Sequence, residues 1–397
     1  MITLLVITLL KSCSRLAGRL AKRPAVSMAL LLVGCVGTPS PVVLTVQPEP
    51  VPVASTDSDI WYSLLPNIDT AAIATTPGGT DAQVLSMIGR EDLVARSGYW
   101  EYEERSCDLA SDTDVMVEIA RRARETSIVI VNESHVRSSH RGFIAELATT
   151  LRPLGYEVFA AESFANGPGP NDPMTSRPDE SYFRLGDGAY NNEPAFGRLG
   201  RRLKGLGFEL VAYEDSANRN ELEPADRINA RDEAQAMNLM EAVFADRPDA
   251  KVIVHVGYGH AREWPSVEEG GTVMLAARLK AKTGVDPLTI DQTLCRHADG
   301  LRRLTEPGRA FDLSVSHPPE RFVRGRPSWR LDAGDILTAV PADLVPAEGW
   351  HVIEARPVGE PTHSVPMDRV AIRPGEANVA LMLPPGAYTV RAIDLMP

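Results

Sequence analysis

From Asp112 onward the chain alternates two patterns: short apolar runs of strand length, and longer segments whose apolar residues return every three or four positions. The runs fall at 127–132, 156–162, 208–214, 251–257 and 286–290, and the amphipathic segments at 113–125, 138–151, 194–206, 225–245 and 272–282. Apolar runs bounded by turn residues suit strands buried on both faces, and their alternation with helices predicts an open, mainly parallel sheet flanked by helices. Gly155, Gly207 and Gly284 stand where three of the helices should close. An earlier helix is expected at 82–95, with Asp81 as N-cap and Leu85, Ile88, Leu93 and Val94 as its stripe. Beyond about Phe311 the pattern shortens and Pro and Gly punctuate it. Trp329-Arg330-Leu331, 336–340, 351–354, 370–372, 379–383 and 388–393 read as antiparallel strands, with Pro384-Pro385-Gly386 as a turn. The expected architecture is thus an α/β domain over 59–308 followed by a small, β-sandwich-like all-β domain over 309–397.

The chain has 397 residues, 44% hydrophobic and 24% charged, and a formal net charge of −12 at pH 7. That balance is globular, and it removes nucleic acid as a partner, because tracking phosphates needs a basic face. The first 34 residues differ: they hold Lys11, Arg15, Arg19, Lys22 and Arg23 and no acid. A short apolar run follows at 25–33, the order of a signal peptide, and it falls well short of the roughly 20 residues of a spanning helix. Leu32-Val33-Gly34-Cys35 resembles the bacterial lipobox. The resemblance implies removal of 1–34, acylation of Cys35 and attachment to a membrane through lipid alone. Val36 is not Asp, so inner-membrane retention is not signalled and the expected location is periplasm-facing, at the outer membrane. Residues 35–58, rich in Pro, Val, Ser and Thr, read as an extended tether to a body beginning near Ile60-Trp61-Tyr62. Two cysteines then remain, Cys107 and Cys295, as a disulfide or as two buried thiols.

Candidate chemistry collects at the strand ends, where open α/β sheets bind ligands. The first strand runs into Glu133-Ser134-His135, the second ends at Glu162, the third at Glu214 and Asp215, and the fourth enters Gly257-Tyr258-Gly259-His260-Ala261. Residues 151–162 and 203–214 match at six of twelve positions, the terminal Glu included. Gathering this many titratable groups costs solvation and like-charge repulsion unless a metal, a proton or a substrate offsets it. Nearby lie His140 and the helical stripe of Arg227, Arg231, Gln235 and Asn238, whose arginines could hold a carboxylate or an oxyanion. His317, His351 and His363 have no partner at ligand spacing and read as surface or structural. The segment 163–193, rich in Gly, Pro, Asn and Asp, is expected to overhang the site as a lid or specificity loop.

These motifs resemble the superfamily of erythromycin esterases, ChaN-like haem lipoproteins and Tiki-type proteases. The resemblance spans roughly residues 127–290 and rests on Glu133-Ser134-His135 with His140, the strand-end Glu162, and Val256-Gly257-Tyr258-Gly259-His260-Ala261. Members commonly carry Gly before the first Glu, where this chain has Asn132. The resemblance implies a hydrolase of esters or amides, acting on a small-molecule or peptide substrate through Glu133, His135, Glu162, His260 and Arg231. A divalent metal, if bound, would take Glu133, His135, Glu162 and His260 as ligands. The alternative it implies is a haem- or iron-binding lipoprotein without hydrolytic activity, with His140, Glu214, Tyr258 and Arg227 lining the cofactor. No Gly-x-Ser-x-Gly elbow, HExxH helix, P-loop or GxGxxG is present, which sets aside the usual serine-hydrolase, zincin and nucleotide-binding designs.

Overall fold

Eight strands build the central sheet: β1 (Leu109–Ser111), β2 (Ile128–Glu133), β3 (Val158–Ala161), β4 (Glu209–Ala212), β5 (Val252–Gly257), β6 (Leu288–Asp291), β7 (Arg303–Thr305) and β8 (Leu313–Ser316). Their spatial order is β1-β7-β8-β6-β2-β5-β3-β4. The run from β8 to β4 is parallel throughout, while β1 and β7 add an antiparallel edge. The computed structural model describes residues 41–47, 51–53, 80–99, 104–165 and 177–395. The segment 1–34 expected as a signal peptide, Cys35 and Ile60-Trp61-Tyr62 therefore lie outside the described residues.

The alternation of side chains along each strand decides which helices it meets. Val129, Val131, Phe159, Leu210 and Ile253 point to one face, where they pack against α1 (Val115–Arg122), α2 (Ser138–Leu151) and α3 (Pro194–Gly205). Ile128, Ile130, Val158, Val211, Val252 and Val254 point to the other, against α4 (Pro224–Leu239) and α5 (Leu275–Thr283). Both faces are dry, which is why the runs read as continuously apolar. Helices and strands between 113 and 290 thus fall within a few residues of their expected positions.

Four expectations need correction. The helix expected at 82–95 is two, Thr80–Met87 and Glu91–Arg96, parted at Gly89, whose φ of +75° breaks the helical path. A Cβ there would also meet the Arg369 carbonyl at 2.0 Å, so the break lets the C-terminal sheet close on this corner. Trp329–Asp332 is a single helical turn instead of a strand. Its ring lies over Gly142 of α2 with Nε1 donating to Ser138 Oγ at 3.0 Å, and Arg330 is buried on Asp335 and Asp368. The α/β sheet does not end at 308, because Leu313 and Ser314 of β8 pair with Ile290 and Asp291. Finally, the middle of the supposed tether is a strand: Val42–Val46 lies parallel to Gly386–Leu395, with Val42, Leu44 and Val46 half-buried against the second core. Val51–Val53 adds to the same neighbour.

The second sheet takes the order Val42–Val46, Gly386–Leu395, His351–Pro357, Asp368–Ile372, and a separate pair joins Ile336–Ala339 to Ala380–Leu383. It is no detached module. Ile353, Val370, Leu381 and Val390 form its own core, but Val352, Ala371 and Ile393 pack on the two early helices and Val365 enters the core of the main sheet. Arg369 Nη1 donates to the Asn192 carbonyl at 2.9 Å, and Ser40–Pro397 form one unit. Among the described residues, no helix is long and apolar enough to cross a membrane.

Cys107 and Cys295 are joined as a disulfide across a sequence separation of 188 residues. A closure this long removes much conformational freedom from the unfolded chain, so the Cys107→Ala/Cys295→Ala variant should lose about 2–5 kcal/mol of unfolding free energy. Urea denaturation of the two forms, read as a shift in midpoint at unchanged slope, measures it.

Candidate active site

Parallel, adjacent strands bring their carboxyl ends to one edge, with Glu133 in register with Gly257 and Ala161 in register with both His255 and Ala212. At that edge stand two histidine–carboxylate pairs. In the first, His135 Nδ1 donates to Glu133 Oε1 at 3.1 Å, which leaves Nε2 as the free acceptor. In the second, His260 Nδ1 donates to Asp232 at 2.9 Å and Nε2 again faces inward, 3.1 Å from Arg231 Nη1. Both rings are about four-fifths buried and both carboxylates are fully enclosed.

Glu133 is clamped. Arg141 Nη2 donates to its Oε1 at 2.8 Å and Arg141 Nε to its Oε2 at 3.0 Å, while His255 Nε2 stands 3.1 Å from Oε2. Burial by itself would raise the Glu133 pKa, but the Arg141 charge and His255 outweigh it and hold the carboxylate well below the usual range. It is therefore a fixed anion under His135. His260 has the complementary bias: burial disfavours its cation, but the Asp232 hydrogen bond and the Glu162 charge raise its pKa above the ordinary histidine value despite Arg231.

Glu162 lies between the pairs. Its Oε1 accepts from Tyr190 Oη at 2.8 Å and from the Gly257 N–H at 2.9 Å and lies 3.8 Å from His135 Nε2. Its Oε2 is buried 3.5 Å from Arg231 Nη2 and accepts no hydrogen bond. Burial pushes its pKa up, and His260, Arg231 and His135 together bring it below the usual value. Gly257 is required by this crowding, since a Cβ there would sit 2.6 Å from His135 Cε1 and 2.7 Å from Glu162 Oε1. Glu214, the counterpart of Glu162 in the repeated segment, is held by Arg231 through Nε at 2.8 Å and through Nη2, and by Gln235 Nε2 at 3.0 and 3.1 Å.

Of the residues expected at the site, Glu133, His135, Glu162, Glu214, Arg231, Tyr258 and His260 converge. His140 does not. It is fully buried, its Nδ1 accepts the Ser134 N–H at 3.0 Å, and burial with His317 and Arg137 nearby lowers its pKa so that it stays neutral. It fixes the first loop from behind. Arg227 does not join either: one turn before Arg231, it is exposed and engages no carboxylate among the described residues. Asn132 is buried and ties the loops together, with Nδ2 donating to the Tyr258 carbonyl at 2.7 Å and to Asp291 Oδ1 at 2.8 Å. His317 is structural, with Nε2 2.9 Å from Gln292 Oε1 and its ring beside His140. The ends of segment 163–193 are core rather than lid, since Phe164, Phe183 and Tyr190 are buried; residues 166–176 lie outside the described residues.

Sequence reasoning passed over Arg141, Asp232, His255 and Tyr190. The first two had a signal, a charge on an apolar helical stripe: Arg141 shares its face with Ile144 and Ala148, and Asp232 with Gln235, Ala236 and Leu239. His255 likewise interrupts a buried strand. Tyr190, whose ring packs on His135 at 4.2 Å, comes from an irregular segment and had none.

The residues do not suit a metal. Both Glu133 oxygens face the Arg141 guanidinium, and among the described residues no three His, Cys, Asp or Glu side chains are disposed to share an ion. Haem fits no better. His140 is walled in, and the cavity that Tyr258 lines has about 200 Å³, below the roughly 300–1,000 Å³ of small-molecule pockets.

No protein-family model and no curated protein matches the chain. Among solved structures it is similar to one titled "Bacterial protein toxins" at 14% identity, covering 51% of this chain and 43% of that one with a TM-score of 0.34. It is similar to RRSP, a MARTX toxin effector domain from Vibrio vulnificus, at 14% identity, 60% and 46% coverage and a TM-score of 0.34. It is also similar to the C-terminal region of Pasteurella multocida toxin at 12% identity, 77% and 53% coverage and a TM-score of 0.31. The chain spans about half the length of the structures it matches.

Removing the clamp should be costly because it strands a buried anion. Arg141→Met is expected to destabilise the protein by about 3–5 kcal/mol, and Glu133→Gln in the same chain to restore part of the loss, since the charge left unpaired is then gone. A double-mutant cycle in urea reads both.

Proposed function

We propose that the protein is a hydrolase of esters or amides that uses the two histidine–carboxylate pairs as base and acid. The observation that carries this reading is their common arrangement: each His holds a buried carboxylate through Nδ1 and turns Nε2 toward the Glu162–Arg231 pair. His135 Nε2 takes a proton from water, and the locked Glu133 anion stabilises the imidazolium that forms. Glu162 Oε2, a buried acceptor with no donor, orients that water or a donor group of the substrate. Arg231, fixed on Glu214, turns its Nη1 donor from His260 Nε2 to the carbonyl oxygen as negative charge builds there, and His260, protonated on the Nε2 so released, delivers that proton to the leaving group. Tyr190 stays protonated, because burial and the Glu162 charge raise its pKa well above the usual value, so it serves as a donor and never as the base.

The reading also takes the protein to be exported and lipid-anchored at Cys35, on the strength of the lipobox resemblance; the disulfide is compatible with an oxidising compartment.

Two outcomes test the mechanism. In hydrolysis of p-nitrophenyl acetate, His135→Ala should lower kcat by about 10²–10⁴-fold with little change in KM, the loss typical of a missing general base. Unchanged turnover would remove His135 from the reaction. Activity should also fall on the alkaline side as His260 loses its proton, and because Asp232 raises that pKa, Asp232→Asn should move the alkaline limb of the kcat profile to lower pH.

A further inference from the structure

A cavity of about 200 Å³ is lined by Tyr258, Gly259, Arg262, Thr293, Leu294 and Phe311. Two of its lining residues connect it to the reacting groups. Tyr258 belongs to both, meeting His135 edge-on at a centroid distance of 4.9 Å, and Gly259 precedes His260.

Tyr258 takes up this place against its own backbone preference. Its φ is +40°, a left-handed conformation that costs a non-glycine residue of order 1 kcal/mol and persists only where surroundings impose it. The Asn132 amide does so, through its 2.7 Å bond to the Tyr258 carbonyl. Leu294, another lining residue, precedes Cys295, which the disulfide joins to Cys107.

The lining is mostly apolar, with Tyr258, Leu294 and Phe311 as its bulk. The Thr293 hydroxyl is already engaged, donating to Asp291 Oδ1 at 2.9 Å and accepting from Asn132 at 3.3 Å. Arg262 supplies the one charge. It is exposed, its backbone N–H closes the turn on the Gly259 carbonyl at 3.0 Å, and its guanidinium lies over Gly259, where a Cβ would meet Nη2 at 2.6 Å. No carboxylate among the described residues pairs with it. A cationic rim over an apolar cleft selects a group that is greasy along its length and anionic at its tip.

We propose that this cavity is a specificity subsite of the enzyme, binding an apolar side chain or acyl group of branched-aliphatic to phenyl size that carries a carboxylate toward Arg262. The proposal rests on the hydrolase reading only for its role in turnover; the binding itself does not need it. It converts the Tyr258 wall into the device that sets the bound group beside His135.

The test titrates the full chain with 4-phenylbutyrate, 4-phenylbutyramide and acetate by calorimetry. Phenylbutyrate should bind, the amide about three- to fivefold more weakly, and acetate not measurably, as fits one exposed charge pair added to apolar burial. Leu294→Trp, which fills the cleft from a surface position, should weaken both aromatic ligands at least tenfold. Arg262→Ala should bind acid and amide equally. No binding of phenylbutyrate, equal binding of acid and amide to the wild type, or binding untouched by Leu294→Trp would each overturn the subsite. The hydrolase reading is judged separately: phenylbutyrate should compete with p-nitrophenyl acetate. Binding without turnover of any ester supports the pocket and removes the hydrolase, whereas turnover without binding removes the pocket alone.

Discussion

The guanidinium of Arg141 is the point from which the candidate site is built. It reaches both oxygens of Glu133, Glu193 Oε2 at 2.9 Å and the His135 carbonyl at 3.2 Å, all in an interior from which water is excluded. Glu193 in turn caps α3 by accepting the Phe196 N–H at 2.9 Å. One planar cation thus fixes a strand end, a loop and a helix start at once. A buried ion pair of this kind adds little net stability over an apolar replacement, but it admits very few geometries. Its value here is that His135 has only one place to be.

Against that anchor, the three strand-end glutamates differ in kind. Glu133 is neutralised by Arg141 and Glu214 by Arg231, so both are scaffolding. Glu162 is held by a phenol and a backbone N–H and retains an oxygen without a donor. The same residue type at successive strand ends therefore supplies two supports and one working carboxylate, and the difference lies in how closely a guanidinium holds each: Arg231 hydrogen-bonds Glu214 but stays 3.5 Å from Glu162 Oε2.

The sequence made the strand ends legible because period and composition fix a doubly covered parallel sheet, and that fold delivers its edges to one place. It also exposed Glu133, His135, Glu162, Arg231 and His260, which sit on regular elements or just beyond them. What it hid follows from physics that pattern does not carry. Asp232 and Arg141 sit on buried, mainly apolar helix faces, where a charge reads as an exception to the stripe until its partner is in view. His140 matched a motif, yet its nitrogen is engaged by a backbone N–H six residues earlier. Trp329–Asp332 carried a strand-like composition, but the bare Cα of Gly142 offers the indole a seat that a helical turn reaches. Val42–Val46 lacked any nearby partner in the sequence, since the strand it joins lies more than 300 residues downstream.

The disulfide has a topological consequence. Every group of the two histidine–carboxylate pairs, from Glu133 to His260, and the clamping Arg141 lie on the stretch between Cys107 and Cys295, so the bridge closes a covalent ring around the whole centre. A ring opened at one bond is still a single connected body. A protease that nicks this stretch once changes the order of the chain without releasing a piece of it, and the severed ends stay tethered until a reductant arrives. In a compartment that contains proteases but no such reductant, the centre is protected from fragmentation by connectivity alone.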